Sequence, residues 1–245
     1  MVEKENAGWE SAETARNYRE VADLVAPGRR EILGIIARAA REFGPERPRV
    51  LDLGGGYGEV TASITDLTPA AEICLLDLSD EMLAMAGERF AGAETVTVRK
   101  HDLNKGLPKD LKTGDYDAVV SCFALHHVAL KRRVPLYRDI LTALKPEGVF
   151  INGDRFKGES PAGEWELDNW VAWMVEARRR RTGVAGTFEE VKANLIESDR
   201  QMGDRPETIW STRDALKKAG FRSVDCVWMY LNLGVLVAFK AAADA

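Results

Sequence analysis

Four glycines within five positions stand near residue 50. Residues 50–59 read VLDLGGGYGE, an apolar run around one aspartate followed directly by the glycines. A turn this rich in glycine lets backbone N–H groups approach a ligand with no Cβ in the way. A helical pattern begins at Glu59, and a helix N-terminus adds free N–H groups and the positive end of a dipole. The segment therefore predicts a loop that holds a nucleotide-like cofactor at an open α/β sheet.

The spacing of these glycines argues against a dinucleotide. A dinucleotide-binding loop has the spacing G-x-G-x-x-G. Counted from Gly54, the third glycine position holds Glu59, and counted from Gly56 it holds Thr61. The third glycine lets the helix and the strand pack closely around a pyrophosphate. Its absence disfavours an NAD-dependent dehydrogenase.

An acidic residue closes the next apolar run of the chain. Asp77 ends the segment ICLLD and falls 19 residues after Gly58. An acidic side chain about 20 residues beyond such a turn can accept hydrogen bonds from both hydroxyls of a ribose. The alternative is an aspartate that caps the following helix, but Ser79 and Asp80 are better placed for that role. We expect Asp77 to bind the ribose.

Two adjacent histidines are the candidates for acid–base chemistry. The chain has three histidines, and His126 and His127 follow an apolar run at residues 117–121. An imidazole can exchange a proton near neutral pH, and it can also brace a loop through its two ring nitrogens. Since adjacent residues rarely point into one pocket, we expect one histidine to face the substrate and the other to brace the loop. No further side chain stands at ligand spacing, so the sequence predicts no metal here.

Candidate substrate contacts lie further along the chain. Arg155 follows the apolar run 148–154 and could pair with a substrate carboxylate or phosphate, or with an internal acid. Trp170 and Met174 belong to a stripe at helical spacing that could be core, a ligand wall, or both. Tyr230, at the end of a C-terminal apolar run, is a further candidate substrate contact.

Apolar runs and helical patterns alternate along the middle of the chain. Strands are predicted at 49–53, 71–77, 95–100, 117–121 and 148–154, and helices at 59–67, 80–90 and 132–144. Strands that alternate with helices form a parallel sheet with helices on both faces. Parallel strands bring their carboxyl ends to one edge of the sheet, where ligands bind. The glycine turn, Asp77, the histidine pair and Arg155 are all predicted at that edge.

The pattern differs at both ends of the chain. Residues 11–43 contain two helical patterns, residues 155–209 have no strand signal, and two apolar runs at 223–230 and 231–239 predict a hairpin at the sheet edge. The sequence thus predicts a doubly wound, mostly parallel, seven-stranded Rossmann-like α/β sheet with a C-terminal antiparallel hairpin and a helical insertion. We divide it into a helical cover (1–47), a cofactor-binding core (48–154), a helical insertion or lid (155–209) and the C-terminal part of the core (210–245).

Composition restricts the class of protein. The 245 residues carry 34 basic and 39 acidic side chains, a net charge of 34 − 39 = −5, which argues against broad nucleic-acid binding and favours a small-molecule substrate. There are three cysteines and no CxxC pair, as in a reduced cytoplasmic protein. No apolar stretch is long enough for a membrane span. The oligomeric state, a homodimer included, is left open.

Several motifs in the same order resemble class I S-adenosylmethionine (SAM) dependent methyltransferases. The turn reads D-x-G-x-G-x-G from Asp52, HDL follows the third strand at 101–103, YDAVVSCFALHH spans 116–127, and LKPEGVF spans 144–150. Together they cover about residues 49–154. Within the family, VAPGRREI at 25–32 and DCVWMYLNLGVLV at 225–237 resemble the branch of small-molecule methyltransferases and carboxy-SAM synthases, although Arg29 stands where that branch often has tyrosine.

The resemblance implies SAM as the cofactor, with S-adenosylhomocysteine as the product. It implies Asp102 beside the adenine amino group, Leu78 and Met82 over the adenine, and Tyr18 near the methionine end. The methyl group would lie near His126 and His127. The implied cofactor contacts are Tyr18, Asp52, Gly54, Gly55, Gly56, Asp77, Leu78, Met82, Asp102, Leu103 and Ser121.

The leading interpretation is a SAM-dependent methyltransferase that acts on a small molecule. One alternative is a carboxy-SAM synthase, which needs a cation such as Arg29 or Arg155 to hold the added carboxylate. A second is a tRNA or RNA methyltransferase that uses the arginines at 178–181. A third is a SAM-binding partner subunit without catalysis.

Overall fold

The computed structural model describes residues 12–242, with side chains from residue 16 onward. Helices α1 (Ala12–Val25) and α2 (Arg29–Glu42) precede the sheet, and they are separated at Pro27 and Gly28 as the sequence predicts. Trp9, in the predicted cover, lies outside the described residues. None of the described helices is both long enough and apolar enough to cross a membrane.

Five strands of the central sheet run parallel. They are β1 (Arg49–Leu53), β2 (Glu72–Asp77), β3 (Val96–Lys100), β4 (Tyr116–Cys122) and β5 (Leu144–Arg155). Helices α3 (Glu59–Leu67), α4 (Asp80–Arg89) and α5 (Leu130–Ala143) connect them, with short 3₁₀ turns that include Leu125–His127. The connections are those expected from apolar runs that alternate with helical patterns.

The chain ends in the predicted antiparallel hairpin. Strands β6 (Ser223–Tyr230) and β7 (Leu233–Phe239) complete a seven-stranded sheet of order β3-β2-β1-β4-β5-β7-β6. The last strand, β7, lies between β5 and β6, so β6 forms the sheet edge. The predicted fold class is confirmed.

Helices α6 (Pro161–Thr182), α7 (Phe188–Met202) and α8 (Ile209–Ala219) lie between β5 and β6. Thr208 caps the start of α8, because its hydroxyl oxygen accepts a hydrogen bond from the Ser211 N–H. Helices α6 and α7 pack on each other around a small apolar cluster of Trp170, Val171, Met174 and Val191. This cluster is separate from the two cores that cover the faces of the sheet.

The sheet brings several loops to one edge. Between β1 and β4 the strand order reverses, and the loops after these two strands leave in opposite directions. A crevice forms at such a point outside the carboxyl ends of the strands. The segments after β1, β2, β3 and β4 all end there.

Candidate active site

A cavity occupies the crevice where the strand order reverses. It encloses about 910 Å³ of empty space, its open mouth included. Its walls come from α1 and α2, the glycine turn, the end of β2 with the start of α4, and the segments that follow β3 and β4. The lining residues are Tyr18, Arg29, Leu33, Gly54, Gly55, Gly56, Tyr57, Glu59, Val60, Asp77, Leu78, Met82, His101, Asp102, Leu103, Cys122, Phe123, Ala124, His127 and Val128.

The glycine turn is shaped by backbone that only glycine adopts freely. Gly54, Gly56 and Gly58 have φ values of 64°, 54° and 83°, in the left-handed region that a Cβ disfavours. A Cβ on Gly54 would collide with the side chain of Ala124, from the segment after β4. The turn therefore offers bare backbone to the cavity.

Asp77 connects the glycine turn to the start of the next helix. Its Oδ2 accepts a hydrogen bond from the Gly56 N–H at 2.9 Å, and its Oδ1 accepts from the Ser79 N–H at 2.9 Å. Burial raises the pKa of this carboxyl, and the backbone donors oppose that effect. Each carboxylate oxygen keeps a further lone pair that a ligand hydroxyl can meet.

Two predicted cofactor contacts lie beneath the cavity and are not part of its wall. Asp52 is fully buried and accepts a hydrogen bond from Thr61 Oγ1 at 2.7 Å. Burial raises its pKa to about 7, and the nearby charge of Asp77 adds to that effect. The Ser121 hydroxyl is also buried and donates to the Leu53 carbonyl at 2.9 Å. Both side chains therefore have internal hydrogen-bond partners.

The cavity wall formed by the segments after β2 and β3 is apolar except for His101 and Asp102. Leu78, Met82 and Leu103 line it, and the first two are the residues that the resemblance places over the adenine. Asp102 accepts a hydrogen bond from the Asn104 N–H at 2.9 Å, and His101 Nε2 lies 2.6 Å from the Gly106 carbonyl oxygen. The loop after β3 is thereby held rigid.

A charged group that the sequence analysis only partly anticipated lies at the opposite end. Arg29 is 6% exposed, lines the cavity and forms ion pairs with Glu59 and Asp23. Its guanidinium also donates to Tyr57 Oη at 3.4 Å. Burial raises the pKa of Tyr18 to about 12 even though Arg29 opposes that effect. This end presents a cation and an anion side by side.

The rings of the paired histidines lie against each other, with centroids 4.0 Å apart, but only one of the two residues lines the cavity. His127 lines the cavity, whereas His126 does not. His126 Nδ1 lies 2.6 Å from Asp154 Oδ1, and His127 Nδ1 lies 2.8 Å from Asp204 Oδ1. Phe123, just before them, has a φ of 52°, a strained conformation for a non-glycine residue that tends to occur at functional sites.

Asp204 is the residue that the sequence analysis missed. It follows α7, 77 positions after His127, and no local pattern marks it. Its other oxygen, Oδ2, lies 3.7 Å from His126 Nε2. Nitrogen and oxygen atoms of His126, His127 and Asp204 all fall within 4.8 Å of one another, a set that could hold a metal ion. The sequence predicted no metal because it showed no third ligand beside the two histidines. The fold supplies one in Asp204, so that reason no longer applies.

The four predicted substrate contacts lie outside the cavity wall. Arg155 pairs with Asp199 at 2.5 Å and with Asp204 at 3.2 Å. Its guanidinium also stacks on the Trp170 ring, 4.5 Å from the centroid. Trp170 Nε1 donates to the Val25 carbonyl at 2.8 Å. Met174 is buried in the α6–α7 cluster, and Tyr230 is half exposed on the edge strand. These side chains therefore have structural partners or face solvent.

A family model for a methyltransferase domain matches residues 50–148. Carboxy-S-adenosyl-L-methionine synthase of Aeromonas salmonicida is 25% identical over 92% of this chain and 88% of its own length. A solved S-adenosyl-L-methionine-dependent methyltransferase of Methanococcus maripaludis superposes with a TM-score of 0.64 at 17% identity, over 96% of this chain and 95% of the other.

Human N-acetylserotonin methyltransferase, solved in complex with SAM, superposes with a TM-score of 0.63 at 18% identity, over 99% of this chain and 60% of that longer one. These likenesses agree with the cavity. A Cβ on Gly54 or Gly55 would collide with neighbouring side chains, Asp77 lines the cavity, and the same cavity has an apolar wall and the Arg29–Glu59 ion pair. The domain match over residues 50–148 and these likenesses support a SAM-dependent enzyme with the fold of the class I SAM-dependent methyltransferases.

Proposed function

We propose that this enzyme transfers the methyl group of SAM to a small-molecule acceptor held beside His127. The observation that carries this proposal is the single cavity that the glycine turn, Asp77 and Asp102 share with His127. Leu33 and Val128 line the same cavity and supply an apolar surface for a compact acceptor. Methyl transfer from a sulfonium needs alignment and the exclusion of water more than it needs covalent chemistry by the protein.

The nucleoside part of SAM would lie between the glycine turn and the segments after β2 and β3. Asp77 would accept from the ribose hydroxyls, and Asp102 would accept from the adenine amino group between Leu78 and Met82. The turn at Gly54–Gly56 would pass close to the ligand. These are the roles the motifs imply, and the cavity wall supports them for every predicted cofactor residue except Asp52 and Ser121.

The ion pair of Arg29 and Glu59 is complementary to the two charged groups of an amino acid. The methionine part of SAM carries a carboxylate and an ammonium group. Arg29 is suited to the first, and Glu59 to the second, because a buried guanidinium binds a carboxylate bidentately. Tyr18 stands beside them. This assignment uses both members of the ion pair and leaves neither for the acceptor.

If Arg29 binds the methionine carboxylate, it is not available to bind the added carboxylate of carboxy-SAM. A carboxy-SAM synthase needs a second cation for the added carboxylate. Among the described residues, Arg29 is the one arginine or lysine that lines the cavity, and Arg155 is held outside by two carboxylates. The geometry therefore favours methyl transfer. The full-length similarity to a carboxy-SAM synthase makes that reaction the second candidate.

The RNA methyltransferase alternative receives less support. Arg179 and Arg180 pair with Glu176 on the exposed side of α6, and no residue of 178–181 lines the cavity. An arginine cluster at a helix C-terminus is also favoured by the helix dipole.

Mass spectrometry of the nucleoside released from the purified full chain tests the proposal. We expect SAM or S-adenosylhomocysteine, and little ligand from the Asp77→Ala variant purified in parallel. A released nucleoside heavier by carbon dioxide would overturn methyl transfer in favour of carboxy-SAM synthesis. Formation of S-adenosylhomocysteine is then followed with a panel of small hydroxyl, amine and thiol compounds to identify the acceptor.

A further inference from the structure

We propose that His126, His127 and Asp204 bind one divalent transition-metal ion of the zinc class, at the end of the cavity that His127 lines. The three side chains come from the segments after β4 and α7, and one ligand atom of each falls within 4.8 Å of the others. Among the side chains that the structure describes, no other three histidine, cysteine, aspartate or glutamate residues meet this condition. The site goes beyond the proposed methyl transfer and does not depend on it.

The spacing of the ligand atoms suits a metal ion. Asp204 Oδ1 lies 2.8 Å from His127 Nδ1, and Asp204 Oδ2 lies 3.7 Å from His126 Nε2. Zinc bonds to nitrogen and oxygen are about 2.0–2.2 Å long, so two ligand atoms of a tetrahedral site stand about 3.3–3.5 Å apart. The two observed distances lie on either side of that spacing, and small side-chain rotations bring them to it.

A second carboxylate orients His126 as a ligand. Asp154 Oδ1 lies 2.6 Å from His126 Nδ1, which leaves Nε2 as the nitrogen on the side of Asp204. Metal-bound histidines almost always have their other ring nitrogen on a carboxylate, a backbone carbonyl or water, because that contact fixes the tautomer and the ring orientation. Asp154 is buried, and it accepts a hydrogen bond from the Arg155 backbone N–H at 2.8 Å. The support that a metal-binding imidazole requires is therefore present.

The two segments that carry the ligands are tied together through their backbones. The Arg205 N–H donates to the His126 carbonyl at 2.8 Å. Arg133 spans both segments, because its guanidinium donates to the carbonyls of His126 and Arg205. The ligand atoms therefore need little ordering when an ion binds, and this lowers the entropic cost of binding.

The cation next to the cluster has an acidic partner of its own. Arg155 lies 3.2 Å from Asp204, but its two terminal nitrogens donate to the two oxygens of Asp199 at 2.6 and 2.5 Å. This shorter, bidentate pair largely balances the guanidinium charge. The carboxylates of Asp204 and Asp154 therefore keep negative charge for a cation beside the imidazoles. In the metal-free chain a proton on an imidazole meets that charge, and the binding of an ion releases it.

The ligand types select the class of metal. Imidazole nitrogen suits zinc, copper, iron and nickel, whereas magnesium and calcium prefer oxygen ligands. Three protein ligands leave a further coordination position for water or another donor atom, as in zinc sites that no fourth side chain closes. Because His127 lines the cavity, the ion lies one bond away from a residue that bound small molecules can contact.

A zinc titration of the full chain, after removal of metal with a chelator and without SAM, tests the site. We expect one zinc ion per chain with a dissociation constant in the micromolar range or below. Zinc at about a hundredfold excess over that constant should raise Tm by about 5–10 °C. No zinc binding at micromolar concentrations in the wild type would overturn the proposal.

Histidine ring NMR of the wild type shows where the zinc lies without any change at the cluster. The chain has three histidines, and zinc should shift the ring signals of two of them. The unshifted signal should be the one that is missing from the His101→Gln variant. Zinc that shifts only the His101 signal, or none of the three, lies elsewhere and would contradict the site.

Ligand variants give a second, independent location. Asp204→Asn and His126→Gln should each weaken zinc binding by at least about 10-fold, and Asp154→Asn by about 10- to 100-fold. The matched controls are His101→Gln and Asp102→Asn, a histidine and an aspartate that line the same cavity outside the cluster, and both should bind zinc as the wild type does. Equal affinity in Asp204→Asn and the wild type would overturn the proposal.

All of these measurements are made without SAM and without an acceptor. Failure of the zinc site therefore leaves the proposed methyl transfer standing. Release of a carboxylated nucleoside would overturn methyl transfer and leave the zinc site standing.

Discussion

The two ends of the cavity are built in different ways. The cofactor end comes from short segments directly after β1, β2 and β3, and each has its own local signature of glycines or a strand-end acid. The histidine end brings His127, from the segment after β4, to Asp204, from the segment after α7. Asp154, at the end of β5, pairs with the neighbouring His126. A site made of local turns can be identified from its sequence pattern. A site made by packing distant segments cannot.

Gly54→Ala should have the largest effect, and it acts on the cofactor end. The new Cβ would collide with Ala124 on backbone with positive φ, so we expect destabilisation on the order of 3 kcal/mol and loss of SAM binding. Urea unfolding and calorimetry measure the two effects.

The control for this change is Gly87→Ala in the interior of α4. No atom lies within 4 Å of a Cβ there, so alanine should stabilise the helix by about 0.5–1 kcal/mol. Equal losses in the two variants would mean that the turn has no special geometry.

Asp77→Ala should weaken SAM binding by about 10- to 100-fold, since hydrogen bonds to a charged group contribute about 1.5–3 kcal/mol. Calorimetry with SAM checks this. Asp80→Ala, three positions on and exposed, is the control and should retain affinity. Unchanged affinity in Asp77→Ala would remove it from the cofactor site.

The charge on His126 should be detectable in the pH dependence of the free energy of unfolding of the metal-free chain. The folded pKa of His126 lies above its unfolded value, so its contribution is fully present below pH 6.5 and is lost as pH rises through the folded pKa. The difference in unfolding free energy between the wild type and His126→Gln should therefore shrink as pH increases. A difference that grows with pH would show that the two carboxylates do not hold an imidazolium.

Trp170→Phe should have the smallest effect. It removes the hydrogen bond from Nε1 to the Val25 carbonyl and should cost about 1 kcal/mol of stability. Because Trp170 lies outside the cavity wall, SAM affinity should stay within about twofold. Trp165→Phe, at an exposed position, should change neither quantity. A large loss of SAM affinity in Trp170→Phe would make the insertion part of the cofactor site.

Much of the fold could be predicted from the sequence because its signals are local. Alternating apolar runs fixed five parallel strands, and two adjacent runs fixed the hairpin. The order of the last two strands could not be read, since which strand of a hairpin pairs with β5 depends on packing.

The candidate site also combines residues whose position follows from the local sequence with residues whose contacts depend on packing. Asp77 and the glycines reach the cavity because the backbone that carries them ends at the sheet edge. The resemblance implied Asp52 and Ser121 as cofactor contacts, and Arg155 was left open between a substrate anion and an internal acid. Each of the three has an internal partner in the structure. A motif predicts where the backbone goes, whereas side-chain direction depends on neighbours from other segments.

The sequence by itself determined the α/β sheet and the glycine turn, because these depend on backbone periodicity and on residues close together in the chain. SAM as the cofactor followed from the resemblance of its motifs to a known family. Only the tertiary structure decided which histidine faces the cavity. It also brought Asp204 to the pair and enclosed Arg29 with Glu59. These relations join segments from about 30 to 77 positions apart, and their distances depend on how helices pack against a twisted sheet.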